Sequence, residues 1–204
     1  MILDYKKREE LLAEYNLPRP VTSLTHSQDE AVSEAKRIGF PVVLKTSPVE
    51  SLHRTESGGV IVDLNSEEEV KEAYRKLEGI EDSEGIIVQK MIKGVELIVG
   101  AKNDPTFGPT VMMGTGGVMV ELFEDVTFRI APFGKREAEE MIEEVRGKKL
   151  LEGFRGGPVI DKSLIVDILV KTSKLVSEKS IEELDFNPVI IGEKAFICDV
   201  KIVS

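Results

Sequence analysis

Ile181-Glu182-Glu183-Leu184-Asp185-Phe186-Asn187-Pro188-Val189-Ile190-Ile191, then Gly192-Glu193-Lys194, then Ala195-Phe196-Ile197-Cys198-Asp199-Val200-Lys201, is the stretch that sets acidic and amide side chains into otherwise apolar strands. Two apolar runs joined by a glycine-containing loop of three residues spell a hairpin. With the loop at 192–194, Ile191 pairs with Ala195, and counting back two by two puts Asn187 opposite Asp199. Asp185 follows on the same face, because side chains alternate along a strand. The three form a cluster of hard oxygen ligands at one end of the hairpin. Magnesium favours such ligands, keeps several waters and is completed by substrate phosphates. The other reading of the same residues is a strand end, with Asn187-Pro188 a turn.

The chain has 204 residues, enough for one domain or two small lobes, with 41% hydrophobic and 31% charged residues, the balance of an ordinary soluble protein. No apolar run approaches the ~18 residues that span a membrane, and Met1 to Glu10 is charged rather than signal-like, so a cytoplasmic protein is expected. A net charge of −10 argues against general nucleic-acid binding but leaves room for a nucleotide in a local basic pocket. Cys198 is the single cysteine, so no internal disulfide forms. One Cys, no Trp and an abundance of Lys and Glu point to a thermophilic source.

Upstream of the hairpin, strands and helices alternate. Met1 to Tyr15 reads as an amphipathic helix, Val21 to Thr25 as a strand, and Ser27-x-x-Glu30 as a capping box opening a helix that Gly39 stops. Phe40 to Leu44 is a buried strand running into Lys45, whose ammonium either snorkels to water or meets an anion. Residues 46–59 form a polar loop carrying His53 and Arg54, either a solvated segment or one presenting a phosphoryl acceptor beside a phosphate-matching guanidinium. Val60 to Leu64 is a strand, Ser66-x-x-Glu69 opens another helix, and Gly85 to Ile92 is a strand leading to Lys93-Gly94. There the alternation gives way to successive strands, Val95 to Ala101, Gly108 to Met113, Val118 to Leu122 and Val126 to Ala131. Helices over Lys135 to Arg146 and Asp161 to Lys179 follow. The change of pattern divides the chain into a lobe over 1–90, leading helix included, and a lobe over 91–204 carrying the metal cluster. Gly114-Thr115-Gly116-Gly117 is a bare glycine turn able to offer amides to phosphate. It is neither a dinucleotide fingerprint nor a phosphate loop.

Taken in order, Gly39-Phe40-Pro41-Val42-Val43-Leu44-Lys45, Leu52-His53-Arg54-Thr55-Glu56-Ser57-Gly58-Gly59-Val60, Phe107-Gly108-Pro109, Gly114-Thr115-Gly116-Gly117, Val126-Thr127-Phe128-Arg129-Ile130-Ala131-Pro132 and Glu183-Leu184-Asp185-Phe186-Asn187-Pro188 resemble the beta subunit of ADP-forming acetyl-CoA synthetases, distant relatives of succinyl-CoA synthetase. The resemblance implies an α+β ATP-grasp fold of two lobes closing on ATP or ADP with Mg2+. It gives Lys45 to the nucleotide phosphates and Gln89, Lys90, Met91 and Ile92 to an inter-lobe hinge lining the adenine. Glu96 falls near the ribose, Gly116, Gly117 and Arg129 in a segment over the phosphates, and Asp185, Asn187 and Asp199 at magnesium. His53 becomes a phosphoryl relay, with Arg54 where the family has lysine and Glu56 where it has aspartate. The resemblance also implies an alpha subunit carrying the CoA-binding domain and its own phosphohistidine, in an alpha2beta2 enzyme, with no role for nucleic acid or membrane. A different ATP-grasp carboxylate ligase, or a nucleotide-binding regulatory protein without turnover, are the other readings.

Overall fold

Two capping boxes start the helices of the N-terminal region as their sequences require. In the computed structural model, which describes residues 1–48, 59–80, 83–117 and 124–204, the Ser27 and Ser66 hydroxyls accept the Glu30 and Glu69 amides, each at 3.2 Å. The two glutamates reach back to the amides of His26 and Asn65, so both helix starts are satisfied from both directions. His53, Arg54 and the strand expected over Val118 to Leu122 lie outside the described residues.

The chain divides into two compact units. The first holds Ile2–Lys7 and Pro20–Ile92. Its strands β1 (Thr22–Thr25), β2 (Val42–Pro48), β3 (Val60–Leu64) and β4 (Ser83–Lys90) form an antiparallel sheet in the order β1-β4-β2-β3. Helices α2 (Gln28–Ile38) and α3 (Glu67–Leu77) cover one face. Val42, Leu44, Ile86 and Val88 point into that layer with Ala31, Ala35, Val70 and Leu77, all buried. The residues between them, Val43, Lys45, Ile87 and Gln89, therefore face the other way.

The second unit holds Met1, Arg8–Arg19 and Lys93–Ser204. Strands β5 (Val95–Asp104), β6 (Gly108–Thr115), β7 (Val126–Ile130), β8 (Glu183–Ile191) and β10 (Lys201–Val203) run in the order β10-β8-β5-β6-β7, with β9 (Ala195–Ile197) also on β8. Helices α4 (Lys135–Glu144) and α5 (Lys162–Glu178) pack against β7 and β6 and bury Leu97, Val99, Val111 and Met113. The alternate residues Glu96, Ile98, Gly100 and Lys102 of β5 lie on the opposite, open face.

The leading helix, α1 (Tyr5–Glu14), departs from the expected division: from Arg8 onward it belongs with the second unit. The reason is a set of specific anchors around its end. Tyr15 donates to Glu178 at 2.9 Å, Lys179 pairs with Glu14 at 2.7 Å, and Lys171 donates to the Asn16 carbonyl at 2.9 Å.

Candidate functional site

The hairpin of β8 and β9 has the register expected from its three-residue loop. Val189 pairs with Ile197, Ile190 with Phe196 and Ile191 with Ala195, and beyond a gap Asp185 pairs with Lys201 and Leu184 with Ile202. Both stretches lie on one continuous register, so the gap between them holds Asn187 level with Asp199. On its other edge β8 carries a bulge: Leu97 faces Val189 and Val99 faces Phe186, leaving Asn187 and Pro188 against Ile98 alone. A bulge re-aims the side chains it carries and interrupts pairing where it sits. Phe186 is fully buried, while Asn187 is exposed and Asp185 and Asp199 are half-buried. The Asp199 carboxylate accepts the Val200 amide at 2.9 Å, which orients it.

Two carboxylates and an amide are a partial donor set. Among the described residues no three His, Cys, Asp or Glu side chains gather to enclose a metal. An incomplete set of hard oxygens fits magnesium, which takes its remaining ligands from water and phosphate, better than a metal that demands a closed protein cage.

On the same open face Glu96 sits opposite Ile190, and the Gly116 amide donates to the Glu96 carbonyl at 2.9 Å. A Cβ on Gly116 would press on the Glu96 backbone and Cβ, which is why glycine stands there. Glu96 and the glycine turn are thus neighbours, and Gly100, two residues past Ile98 on β5, lies opposite Asp185. Beside Asp185 a cavity of about 540 Å³ opens over Gly100 and Met112, walled by Phe107 and Phe128 with Lys102 at its edge.

In the first unit Lys45 and Gln89 share the sheet face turned away from α2 and α3, on adjacent strands, each 3% exposed. The amides of Lys90 and Met91 donate to the carbonyls of Val21 and Pro41, at 2.9 and 3.2 Å, and the Lys90 ammonium donates to the carbonyls of Gly39 and Phe40 at 2.7 and 3.0 Å. These two residues knit the end of β4 to its neighbours, so a base read by this segment would use other groups.

Arg129 is not gathered with Asp185 and Asn187. It pairs across β6 with Val111, on the helix-covered face, and its guanidinium binds Glu144 on α4 at 3.0 Å, with Glu140 at 3.9 Å. The hydrogen bond to Glu144 raises the pKa of Arg129, and the same contact lowers that of Glu144. A residue that sequence reasoning passed over is Asp125. It is 5% exposed, and its carboxylate accepts three donors from the 3₁₀ turn after α4 and from the strand end before the glycine turn.

The model of an ATP-grasp domain matches residues 1–203. The chain belongs to the ATP-grasp family. This ATP-grasp chain is 41% identical over its full length to the ADP-forming acetate–CoA ligase II of Archaeoglobus fulgidus, of which it spans 30%. It is 37% identical to the beta subunit of the ADP-forming acetate–CoA ligase II of Pyrococcus furiosus, with 99% of this chain and 91% of that subunit covered. Among solved structures, the dinucleotide forming acetyl-coenzyme A synthetase 1 of Ca. Korarchaeum cryptofilum is similar at a TM-score of 0.83 and 44% identity, covering 98% of this chain and 91% of that one. That structure holds coenzyme A and Mg-AMPPCP, with its phosphohistidine segment pointing towards the nucleotide binding site. These matches accord with the α+β architecture of antiparallel sheets and packed helices and with the motifs that carried the sequence resemblance.

Proposed function

We propose that the chain is the nucleotide-binding beta subunit of an ADP-forming acyl-CoA synthetase, interconverting acyl-CoA, ADP and phosphate with acid, CoA and ATP. The observation that carries this reading is the match across 99% of the chain and 91% of a subunit named as beta in such an enzyme. The partner is an alpha subunit with the CoA-binding region, in an alpha2beta2 assembly. Asp185, Asn187 and Asp199 would hold magnesium, which when bound offsets negative charge on the nucleotide phosphates. Lys45 delivers a cation from a buried strand to the same phosphates. The Gly116–Gly117 turn, held by the bond from the Gly116 amide to the Glu96 carbonyl, presents the Gly117 amide to them, and the Glu96 carboxylate accepts from the ribose hydroxyls. Gln89 to Ile92 line the base. Arg129, held by Glu144, braces β7 beside the turn. His53, with Arg54 beside it, takes a phosphoryl group from the partner's phosphohistidine: one N–P bond breaks as the next forms, and an ADP oxygen then displaces the imidazole to give ATP.

The test is phosphoryl transfer from radiolabelled ATP and magnesium to the full chain, alone and with its alpha partner, for the wild type and His53→Ala. Label that is base-stable, acid-labile and missing in the variant supports the relay. ATP binding without any such label, even with the partner present, overturns it in favour of a direct carboxylate ligase or a nucleotide sensor.

A further inference from the structure

Asp125 stands at the start of β7, and no part of the nucleotide chemistry above uses it. Its carboxylate accepts the Arg146 amide at 2.6 Å, the Gly147 amide at 2.8 Å and the Thr115 hydroxyl at 2.9 Å. Its own carbonyl accepts the Thr115 amide at 3.4 Å. One buried anion thus joins three places: the end of β6, the start of β7, and the corner where α4 passes into the 3₁₀ turn Arg146–Leu151. The corner must come very close for this to happen. A Cβ on Gly147 would collide with the Thr115 side chain, so only glycine lets the amide reach the carboxylate.

Thr115 is the last residue before Gly116 and Gly117. It is fully buried, as expected of a residue held through both its side chain and its amide, while the Gly116 amide is held from the other side by the Glu96 carbonyl. A buried carboxylate with fewer donors would be costly, so each of the three contacts contributes to holding it in place. We infer that Asp125 is the positioning residue of the glycine turn, fixing through Thr115 and the Gly116 amide, which Glu96 holds, where the Gly117 amide stands and so setting the affinity for the nucleotide phosphates. The inference rests on the reading that this turn faces those phosphates. Asp125 itself touches no nucleotide; it acts by holding groups that do, and misplacing such groups by a fraction of an ångström is expensive.

The test is calorimetric titration of Mg-ADP into the full chain, with thermal unfolding followed in parallel, for wild type, Asp125→Asn, Thr115→Val and Tyr15→Phe. Asparagine keeps the shape of Asp125 but turns an NH2 towards groups that are themselves donors. Valine keeps the shape of Thr115 and removes one hydrogen bond. Asp125→Asn is expected to weaken Mg-ADP about tenfold and Thr115→Val about two- to threefold. Tyr15→Phe, which loosens the same unit away from the turn, should leave affinity unchanged. If both turn variants lower the unfolding temperature as Tyr15→Phe does but bind Mg-ADP as the wild type does, Asp125 is merely structural and the inference falls. Should Asp125→Asn not fold, Thr115→Val with wild-type affinity overturns it equally. If the wild type itself binds no Mg-ADP, the nucleotide reading fails and takes this inference with it.

Discussion

Asn187 carries no charge, and its part in the candidate metal site depends wholly on where the backbone puts it. Register makes it level with Asp199, and the bulge against Ile98 leaves it exposed. Asn187→Ala removes a surface amide and should leave stability within about 0.5 kcal/mol. Its cost should appear in metal-dependent binding: Mg-ADP affinity is expected to fall at least about tenfold, since even groups that only orient metal ligands cost that much. Binding of ADP in excess chelator should be the same for variant and wild type. Titrations with and without magnesium check this, and equal Mg-ADP affinity would remove Asn187 from the site. The level pairing of Asn187 and Asp199 was legible because a three-residue loop and a period of two are enough to count a hairpin. The surroundings of Arg129 and Asp125 were not. Arg129 finds Glu144 fifteen residues on, across a sheet and a helix, and nothing local to Glu124-Asp125 tells a turn aspartate from a buried one with three donors.

Among the elements, the leading helix shows where pattern reading stops. Its existence follows from composition, but its allegiance is decided by contacts more than a hundred and fifty residues away in sequence, to Glu178, Lys179 and Lys171. No periodicity contains that information. The alternation of strand and helix up to Ile92, and the run of strands after it, are by contrast local, and the division of the chain falls at 92–93. Tyr15 is the test of the anchor. Burial first, and then the hydrogen bond to Glu178, push its pKa up to about 12. A phenol whose folded pKa is raised contributes stability that is fully present below its unfolded pKa of about 10 and is lost as pH rises through the folded value. Tyr15→Phe should therefore cost about 1 kcal/mol at pH 7, and the difference from wild type should shrink between pH 10 and 12. Urea unfolding across that range checks both the size and the convergence, and a variant as stable as wild type at pH 7 would deny the anchor.

At the scale of the whole molecule, the net charge of −10 and the short-range contacts of individual carboxylates pull in opposite directions as acid is added. Protonation relieves general self-repulsion, but that repulsion acts over distances already screened at a Debye length of about 8 Å in physiological salt. The contacts are closer and less screened. Among the described residues, the Arg37 guanidinium lowers the pKa of Glu34, the amides of Phe107 and Thr106 that of Asp104, Lys162 and Lys148 that of Glu143, and Ser163 that of Asp161. Glu144 is lowered by Arg129. Burial pushes Asp125 up, but the amides of Arg146 and Gly147 and the Thr115 hydroxyl outweigh it and hold the carboxyl below its ordinary value. A carboxylate with a depressed folded pKa contributes stability that is present above its unfolded value, about 4, and is lost as pH falls through the folded one. The melting temperature should then stay nearly level from pH 7 to 5 in 0.15 M salt and drop below about pH 4, where contacts outweigh relieved repulsion. Of these carboxylates among the described residues only Glu34 lies in the first unit, so the loss should fall more heavily on the second. Hydrogen exchange at acid pH is expected to release the amides of β5 to β8 before those of β1 to β4. Asp125→Asn, already missing the buried contact, should melt lower at pH 7 yet lose less on acidification than wild type. A melting temperature that climbs steadily down to pH 4 would mean that net charge governs the stability of this chain.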